Sequence, residues 1–168
     1  MNDDLQQLTK QVAQLLLDRG CLLSTAESCT GGWVAKCCTD IAGSSAWFDC
    51  GFVTYSNQSK QHMLSVDITT LETFGAVSEQ TVIEMANGAI NNSCAHISVA
   101  ISGIAGPDGG SKDKPVGTVC FAWSIKNNST ITEQHHLKGD RNTVRRQAVM
   151  IALQGIIKNA RDSAPSMG

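Results

Sequence analysis

The fold is decided by one stretch of the chain, Ser24-Thr25-Ala26-Glu27-Ser28-Cys29-Thr30-Gly31-Gly32, which follows a short apolar run and precedes a segment with helical character. Small hydroxyl residues and two glycines stand where a strand would pass into a helix. The first turn of a helix presents unpaired backbone N–H groups and the positive end of the helix dipole. Such a turn can hold an anion or activate a nucleophile.

The composition is that of a single globular domain. The chain has 168 residues, of which 42% are hydrophobic and 17% charged, and this length buries a core without disulfide or metal support. We expect one domain over residues 1–160 and a frayed tail over residues 161–168.

Charge and cysteine content exclude several classes of function. A net charge of -2, with no long run of lysines or arginines, argues against nucleic-acid binding. No stretch approaches the roughly 20 apolar residues of a membrane span, and the acidic start of the chain is unlike a signal peptide. Seven cysteines without a C-x-x-C pair indicate reduced thiols and no zinc site. We therefore expect a cytoplasmic protein without metal, membrane or nucleic-acid partners.

Apolar periodicity and capping residues predict alternating helices and strands. Helices are predicted from residues 2–4 to Gly20, from 33 to about 40, after Ser56 or Asn57, from Asp67 or Thr69 to Gly75, from Ser78, and from Asp140. Strands are predicted at 21–25, 48–55 and 97–101, and a hairpin at 118–125 and 130–137. This order predicts a three-layer α/β/α sandwich with a mixed sheet.

Ser28 is a candidate nucleophile, since the N–H groups from Cys29 to Gly32 could stabilise an oxyanion. Its position alone also fits an ordinary serine N-cap, which is the commoner role. Lys60 is a candidate base if its pKa is lowered, although a solvated helix lysine is the commoner case. Tyr55, five residues earlier, could orient a hydroxyl or a ligand. The four histidines suggest no Ser-His-Asp arrangement.

Two further features could bind a ligand. Arg141, Arg145 and Arg146 fall near a predicted helix start, where cations oppose the helix dipole unless an anion pairs with them. The glycine-rich loop from Ser102 to Gly110 follows a strand but is neither G-x-G-x-x-G nor a Walker sequence. We interpret this loop as a backbone-lined wall of a ligand pocket.

Five ordered motifs closely resemble the CinA C-terminal family over nearly the whole chain. They are Thr25 to Gly32, Gly43-Ser44-Ser45 with Gly51 to Lys60, Gly75 to Ser78, Ser102 to Pro107, and Pro115 to Thr118. The resemblance implies an amidohydrolase of the serine–lysine type that needs no cofactor and converts nicotinamide mononucleotide and water to nicotinate mononucleotide and ammonia. It also implies a place in pyridine nucleotide recycling and a homodimer.

The resemblance assigns roles to matching positions. Ser28 is the implied nucleophile and Lys60 its general base, with Tyr55 and Ser45 supporting them and Arg145 as the phosphate partner. The remaining implied substrate-binding residues come from the two glycine-containing loops, and they are Thr30, Gly31, Gly32, Ser102, Gly103, Ala105 and Gly106.

Two other hypotheses remain open from the sequence. Cys29 could be the nucleophile if a helix N-terminus lowers its thiol pKa. Alternatively, the chain could be a pyridine-nucleotide-binding accessory module without catalysis, because a fold can persist after activity is lost.

Overall fold

The computed structural model describes residues 3–161, which contain six α-helices and five β-strands. The helices are α1 (Asp3–Arg19), α2 (Trp33–Thr39), α3 (Asn57–Leu64), α4 (Ile68–Phe74), α5 (Glu79–Asn91) and α6 (Arg141–Arg161). The strands are β1 (Leu23–Glu27), β2 (Phe48–Val53), β3 (Ile97–Gly103), β4 (Thr118–Ile125) and β5 (Ile131–His136). The predicted tail begins with a helical residue, Arg161, and its remaining residues 162–168 lie outside the described part of the chain.

The strands form one mixed sheet in the order β2-β1-β3-β4-β5. β1 is parallel to both β2 and β3, whereas β4 is antiparallel to β3 and β5. Parallel strands need a crossover connection. α2 lies in the crossover between the neighbours β1 and β2, and the α3–α5 segment forms the crossover from β2 past β1 to β3. The predicted mixed sheet and the predicted hairpin are confirmed.

Helices cover both faces of the sheet, which confirms the three-layer α/β/α architecture. α1, α2 and α6 pack on one face, and α5, with α3 and α4 against it, packs on the other. Alternation along β3 shows how one strand serves both layers. Ile97, Val99 and Ile101 enter the larger core beside α6, while Ser98 and Ala100 face α5.

Small residues bring α5 close to the sheet and to α3. The Ser98 hydroxyl donates a 2.7 Å hydrogen bond to the Ala86 carbonyl of α5. Gly88 of α5 lies against the carbonyl of Leu64, the last residue of α3, with no room for a methyl group. The position of α3 is therefore set by its contact with α5.

The three parallel strands end at the same edge of the sheet. β1 leads into Ser28, β2 into Thr54 and Tyr55, and β3 into the glycine-rich loop after Gly103. β1 lies between β2 and β3. The connection after β1 runs through α2 on one face of the sheet, and the connection after β2 runs through α3–α5 on the other face. In open α/β sheets, ligands bind at such a switch point.

The predicted helix caps are largely confirmed. Ser56, Asp67 and Ser78 are the N-caps of α3, α4 and α5, and each side chain accepts a backbone hydrogen bond. Asp140 accepts a 2.8 Å bond from the Thr143 N–H in the first turn of α6.

Several strand boundaries were predicted wrongly, among them the start of β1 and the end of β2. β1 begins at Leu23 because the N–H of Cys21 still donates to the Leu16 carbonyl of α1. β2 ends at Val53, after which the N–H of Thr54 donates to the Glu27 carbonyl and the chain turns into the α3 cap at Ser56.

Across residues 3–161, no helix combines the length and the apolar character needed to cross a membrane.

We predict that Gly155→Ala destabilises the fold. Gly155 of α6 lies directly against the indole of buried Trp123, and an added methyl group would overlap that ring. Replacing glycine by alanine inside a helix usually stabilises it, but overpacking costs about 1–3 kcal/mol, so a net loss is expected. Urea unfolding, followed by circular dichroism, measures the free energy of unfolding of the variant and of the parent.

The matched control is Gln154→Ala, because Gln154 is exposed on the same helix. Its free energy of unfolding should change by less than about 0.5 kcal/mol. Equal stability of the Gly155→Ala protein and the parent would contradict the packing described for α6.

Candidate active site

Ser28 and Lys60 meet at the carboxyl edge of the sheet. The Lys60 Nζ donates to the Ser28 Oγ at 3.0 Å and to the Thr54 carbonyl at 2.8 Å. Both side chains are buried, with Lys60 only 1% and Ser28 8% exposed. A hydroxyl and an amine at this distance can exchange a proton.

The amine of Lys60 lies in an environment that disfavours its charge. Burial lowers the pKa of Lys60 from 10.5 to about 8, because an ammonium group loses hydration there. Within residues 3–161, no carboxylate lies within 4.0 Å of its nitrogen. A substantial fraction of the amine is therefore neutral near physiological pH.

A capping box fixes the start of α3 and hence the position of Lys60. The Ser56 hydroxyl accepts from the Ser59 N–H at 3.0 Å, and the Ser59 hydroxyl accepts from the Ser56 N–H at 3.1 Å. This reciprocal pair starts the helix at Asn57. Lys60 and Leu64, one turn apart, then form the buried side of α3.

A cavity of about 190 Å³ opens beside the Ser28 hydroxyl. The predicted residues Ser102, Gly103 and Ala105 line one wall of it, as the loop interpretation requires. Ala76 and Val77 contribute an apolar wall that precedes α5. The cavity thus combines this small apolar wall with a lining that is otherwise mostly polar, to which Asn57 also contributes.

Tyr55 and Arg141 also line this cavity. The Arg141 guanidinium donates to the Gly106 carbonyl at 2.9 Å and to the Tyr55 hydroxyl at 3.1 Å. Tyr55 is 62% exposed, so this contact lies toward solvent. Among the described residues, no carboxylate lies within 4.0 Å of Arg141, which leaves its charge free for an anion.

Glu27 organises the turn that carries Ser28, and the sequence analysis missed it. Its buried carboxylate accepts hydrogen bonds from the Thr30 hydroxyl at 2.7 Å, the Val34 N–H at 2.9 Å and the Ala35 N–H at 3.1 Å. It thereby occupies the first N–H groups of α2. The position of an acidic residue shortly before a helix is the sequence signal from which this role could have been predicted.

The N-cap interpretation of Ser28 is wrong. The N-cap of α2 is Gly32, which adopts a left-handed conformation with φ of 97°. The N–H of Gly31 donates to the Ser28 carbonyl at 3.0 Å, and the N–H of Ser28 donates to the Ile101 carbonyl at 3.0 Å. Ser28 therefore stands outside the helix, with its side chain on the cavity.

Arg145, which the sequence analysis predicts as the phosphate partner, lies on the far side of this turn. Its Nε donates to the Cys29 carbonyl at 3.0 Å and its Nη2 to the Thr30 carbonyl at 3.1 Å. It does not line the Ser28 cavity, whereas Arg141, one helical turn earlier, does.

Three other predicted substrate-binding residues, Thr30, Gly31 and Gly32, likewise line a different cavity, together with Arg145. The physical reason is that α2 begins only at Trp33, so the preceding residues curl behind Ser28 instead of surrounding its hydroxyl.

Ser45 is also remote from Ser28 within the chain. It belongs to a short 3-10 turn, Ser44–Ala46, before β2. The N–H of Leu23 donates to the Trp47 carbonyl at 2.8 Å, which fixes this turn at the amino end of β1. Ser28 follows the carboxyl end of β1, so the two serines lie at opposite edges of the sheet.

The surroundings of Cys29 disfavour its thiolate, which argues against the alternative nucleophile. Burial raises the pKa of the Cys29 thiol to about 11, because the thiolate would lose hydration. Glu27, not Cys29, occupies the N–H groups of the helix start.

Within residues 3–161, no group of three His, Cys, Asp or Glu residues is arranged to hold a metal ion.

Comparison with known proteins gives the family. The family model of the CinA C-terminal domain matches residues 5–160. The nicotinamide-nucleotide amidohydrolase PncC of Escherichia coli K12 is 58% identical over 153 residues, which are 91% of this chain and 93% of that protein. The protein of the same name from Enterobacter agglomerans is 51% identical, over 92% of this chain and 94% of its own length.

A solved structure shares the architecture. The competence damage-inducible protein A of Klebsiella pneumoniae superposes with a TM-score of 0.92 at 40% identity, covering 95% of this chain and 99% of that one. The resemblance drawn from the five sequence motifs is thereby confirmed, and the chain belongs to the CinA C-terminal domain family.

Proposed function

We propose that this protein is an amidohydrolase that converts nicotinamide mononucleotide and water to nicotinate mononucleotide and ammonia. The observation that carries the chemistry is the buried 3.0 Å contact between the Lys60 amine and the Ser28 hydroxyl. The substrate is supported by the name of the two relatives at 58% and 51% identity.

In the first half of the proposed reaction, neutral Lys60 accepts the hydroxyl proton of Ser28 as the Oγ attacks the carboxamide carbon. The resulting tetrahedral intermediate collapses when the lysine returns the proton to the amide nitrogen. The C–N bond breaks, ammonia leaves, and the nicotinoyl group remains on Ser28 as an ester.

In the second half, Lys60 accepts a proton from a water molecule that attacks the ester carbon. The bond between the acyl carbon and Ser28 breaks, and the lysine gives its proton back to the serine oxygen. Nicotinate mononucleotide is released as the carboxylic acid, which loses its proton to the solvent, and both residues regain their starting states.

The negative oxygen of each intermediate needs a donor. The N–H of Cys29 directly follows the nucleophile and finds no acceptor in another residue of the range 3–161. The N–H after a nucleophile is a common oxyanion donor. The neighbouring N–H groups of Ser28 and Gly31 are already bonded, so we assign this role to Cys29 N–H.

The cavity of about 190 Å³ suits the pyridine ring and its carboxamide, and the ribose phosphate would extend toward solvent. Arg141 and Tyr55 lie on that path and present a guanidinium and a hydroxyl. A guanidinium forms strong, charge-assisted bonds with phosphate. We therefore assign the phosphate to Arg141.

Broader expectations from the family resemblance complete the proposal. We propose that the enzyme serves pyridine nucleotide recycling in the cytoplasm and forms a homodimer, with residues 1–160 as its domain. All seven cysteines are free, which supports a reducing compartment. Sedimentation equilibrium of the purified protein tests the dimer.

Ser28→Ala is expected to lower the rate of ammonia release from nicotinamide mononucleotide at least about 10³-fold, because the acyl-enzyme can no longer form. The matched control is Cys29→Ala, which removes the neighbouring thiol and keeps most of the activity. Ammonia is measured with a coupled glutamate dehydrogenase assay.

The reverse pattern, an active Ser28→Ala protein and an inactive Cys29→Ala protein, would assign the reaction to the thiol. Binding of the nucleotide by the parent without ammonia release would instead favour the accessory module.

The value of kcat/KM is expected to rise as pH increases through about 8 and to level off above it. The reason is that only the neutral amine accepts a proton, and burial places the pKa of Lys60 at about 8. Lys60→Arg stays protonated throughout this range, so it should lose about 10²-fold to 10⁴-fold in rate and show no such rise. A parent profile that is flat between about pH 7 and pH 9 would contradict Lys60 as the base.

Arg141→Gln is expected to raise KM for nicotinamide mononucleotide by about 10-fold to 100-fold, the value of one or two charge-assisted hydrogen bonds. Nicotinamide riboside, which lacks the phosphate, provides the control, because the substitution should change its kcat/KM much less. Steady-state kinetics with both substrates measure the difference. An equal loss for both would show that Arg141 does not read the phosphate.

A further inference from the structure

A second cavity of about 570 Å³ lies behind the Ser28 turn, between α2 and the first turns of α6. It shares no lining residue with the cavity beside Ser28. Its volume falls in the range of about 300–1,000 Å³ that is typical of small-molecule sites. Nothing in the proposed reaction uses this space.

Three cations line the cavity, and one of them is uncompensated. Lys36 pairs with Asp40 and Arg146 with Asp4, each at 2.6 Å. Arg145 has no carboxylate within 4.0 Å among residues 3–161. Because a partly buried charge without a partner costs free energy, an anion entering the cavity would be stabilised there.

The guanidinium of Arg145 has one arm available. Its Nε and Nη2 donate to the turn carbonyls, whereas Nη1 finds no acceptor in the described part of the chain. The guanidinium also lies 5.4 Å from the ring centroid of Trp33, another lining residue. Leu5 and Cys37 add apolar surface. A fork-shaped cation beside aromatic and apolar surface suits a phosphate group attached to a planar ring.

We propose that this cavity is an effector site for a phosphate monoester of mononucleotide size, and that its ligand acts on the Ser28 turn through Arg145. The binding part stands apart from the proposed reaction, and the regulatory part rests on it.

Arg145 provides the connection between the two cavities. It donates to the carbonyls of Cys29 and Thr30, the two residues that follow Ser28. A phosphate that draws the guanidinium into the cavity lengthens these bonds and loosens the turn that aligns the Ser28 hydroxyl with Lys60. The ligand therefore lowers kcat without competing with the substrate, since its affinity differs between the tight and loose turn.

Calorimetry with adenosine 5′-monophosphate as the probe tests the site without turnover. The parent should bind it saturably, and adenosine, without the phosphate, should bind at least about 10-fold more weakly. Arg145→Gln should weaken binding by at least about 10-fold. Arg141→Gln, the matched control in the other cavity, should leave it unchanged.

Lys36→Gln is a second variant, chosen because the Lys36 side chain is 66% exposed and its loss does not threaten folding. It should weaken binding of the probe about twofold to fivefold, as expected for an exposed charge. This variant keeps the test valid if Arg145→Gln fails to fold, which thermal melting by circular dichroism detects.

Kinetics then test the regulatory part. The probe should lower kcat for ammonia release and leave KM unchanged, and Lys36→Gln should need more probe for the same effect while keeping the parent rate in its absence. Absence of saturable binding, or binding that Arg145→Gln and Lys36→Gln both leave unchanged, overturns the site. Competitive inhibition that disappears in Arg141→Gln places the probe beside Ser28 and also overturns it. Because calorimetry needs no turnover, a failed deamidase assay leaves the binding result intact.

Discussion

Removal of one amine from water is the constraint on which the rest of the structure depends. A buried ammonium ion without a carboxylate is unfavourable, so Lys60 gives up part of its proton affinity. Its amine forms hydrogen bonds with two neutral groups, the Ser28 hydroxyl and the Thr54 carbonyl. Those partners come from the ends of two neighbouring parallel strands, and the lysine comes from the helix after the second. Only a sheet whose strands end at one edge brings all three together.

The turn that carries Ser28 is held by charged groups placed behind it. The Glu27 carboxylate binds the start of α2 and the Thr30 hydroxyl, while the Arg145 guanidinium binds two successive carbonyls. A glycine-containing turn has many accessible backbone conformations, and these bonds select one of them. The serine side chain is thereby oriented without any ionised group close enough to restore the charge of Lys60. Orientation and proton affinity are thus supplied by different residues.

Much of this arrangement could be predicted from the sequence. The parts that could not be predicted share one cause, which is that they depend on contacts between distant parts of the chain. Local signals identified the caps at Ser56, Asp67 and Ser78, and the alternation of apolar residues gave the mixed sheet. The Ser28 and Lys60 pair followed from motifs that share an order along the chain. The sequence could not tell which arginine lines the Ser28 cavity, because Arg141 and Arg145 lie one turn apart and the answer depends on where α6 docks. The position of Ser45 could not be predicted either, because its distance from Tyr55 along the sequence does not show that the whole of β2 separates the two residues.

The close approach of α5 to the end of α3 links packing to acid–base chemistry. Gly88 admits the Leu64 carbonyl, and Leu64 and Lys60 lie one turn apart on the same buried side. The depth at which the amine sits therefore depends on packing about one helical turn away from the reacting groups, at the carboxyl end of α3. Gly88, which does not line the Ser28 cavity, thus bears on the pKa of the Lys60 amine through packing.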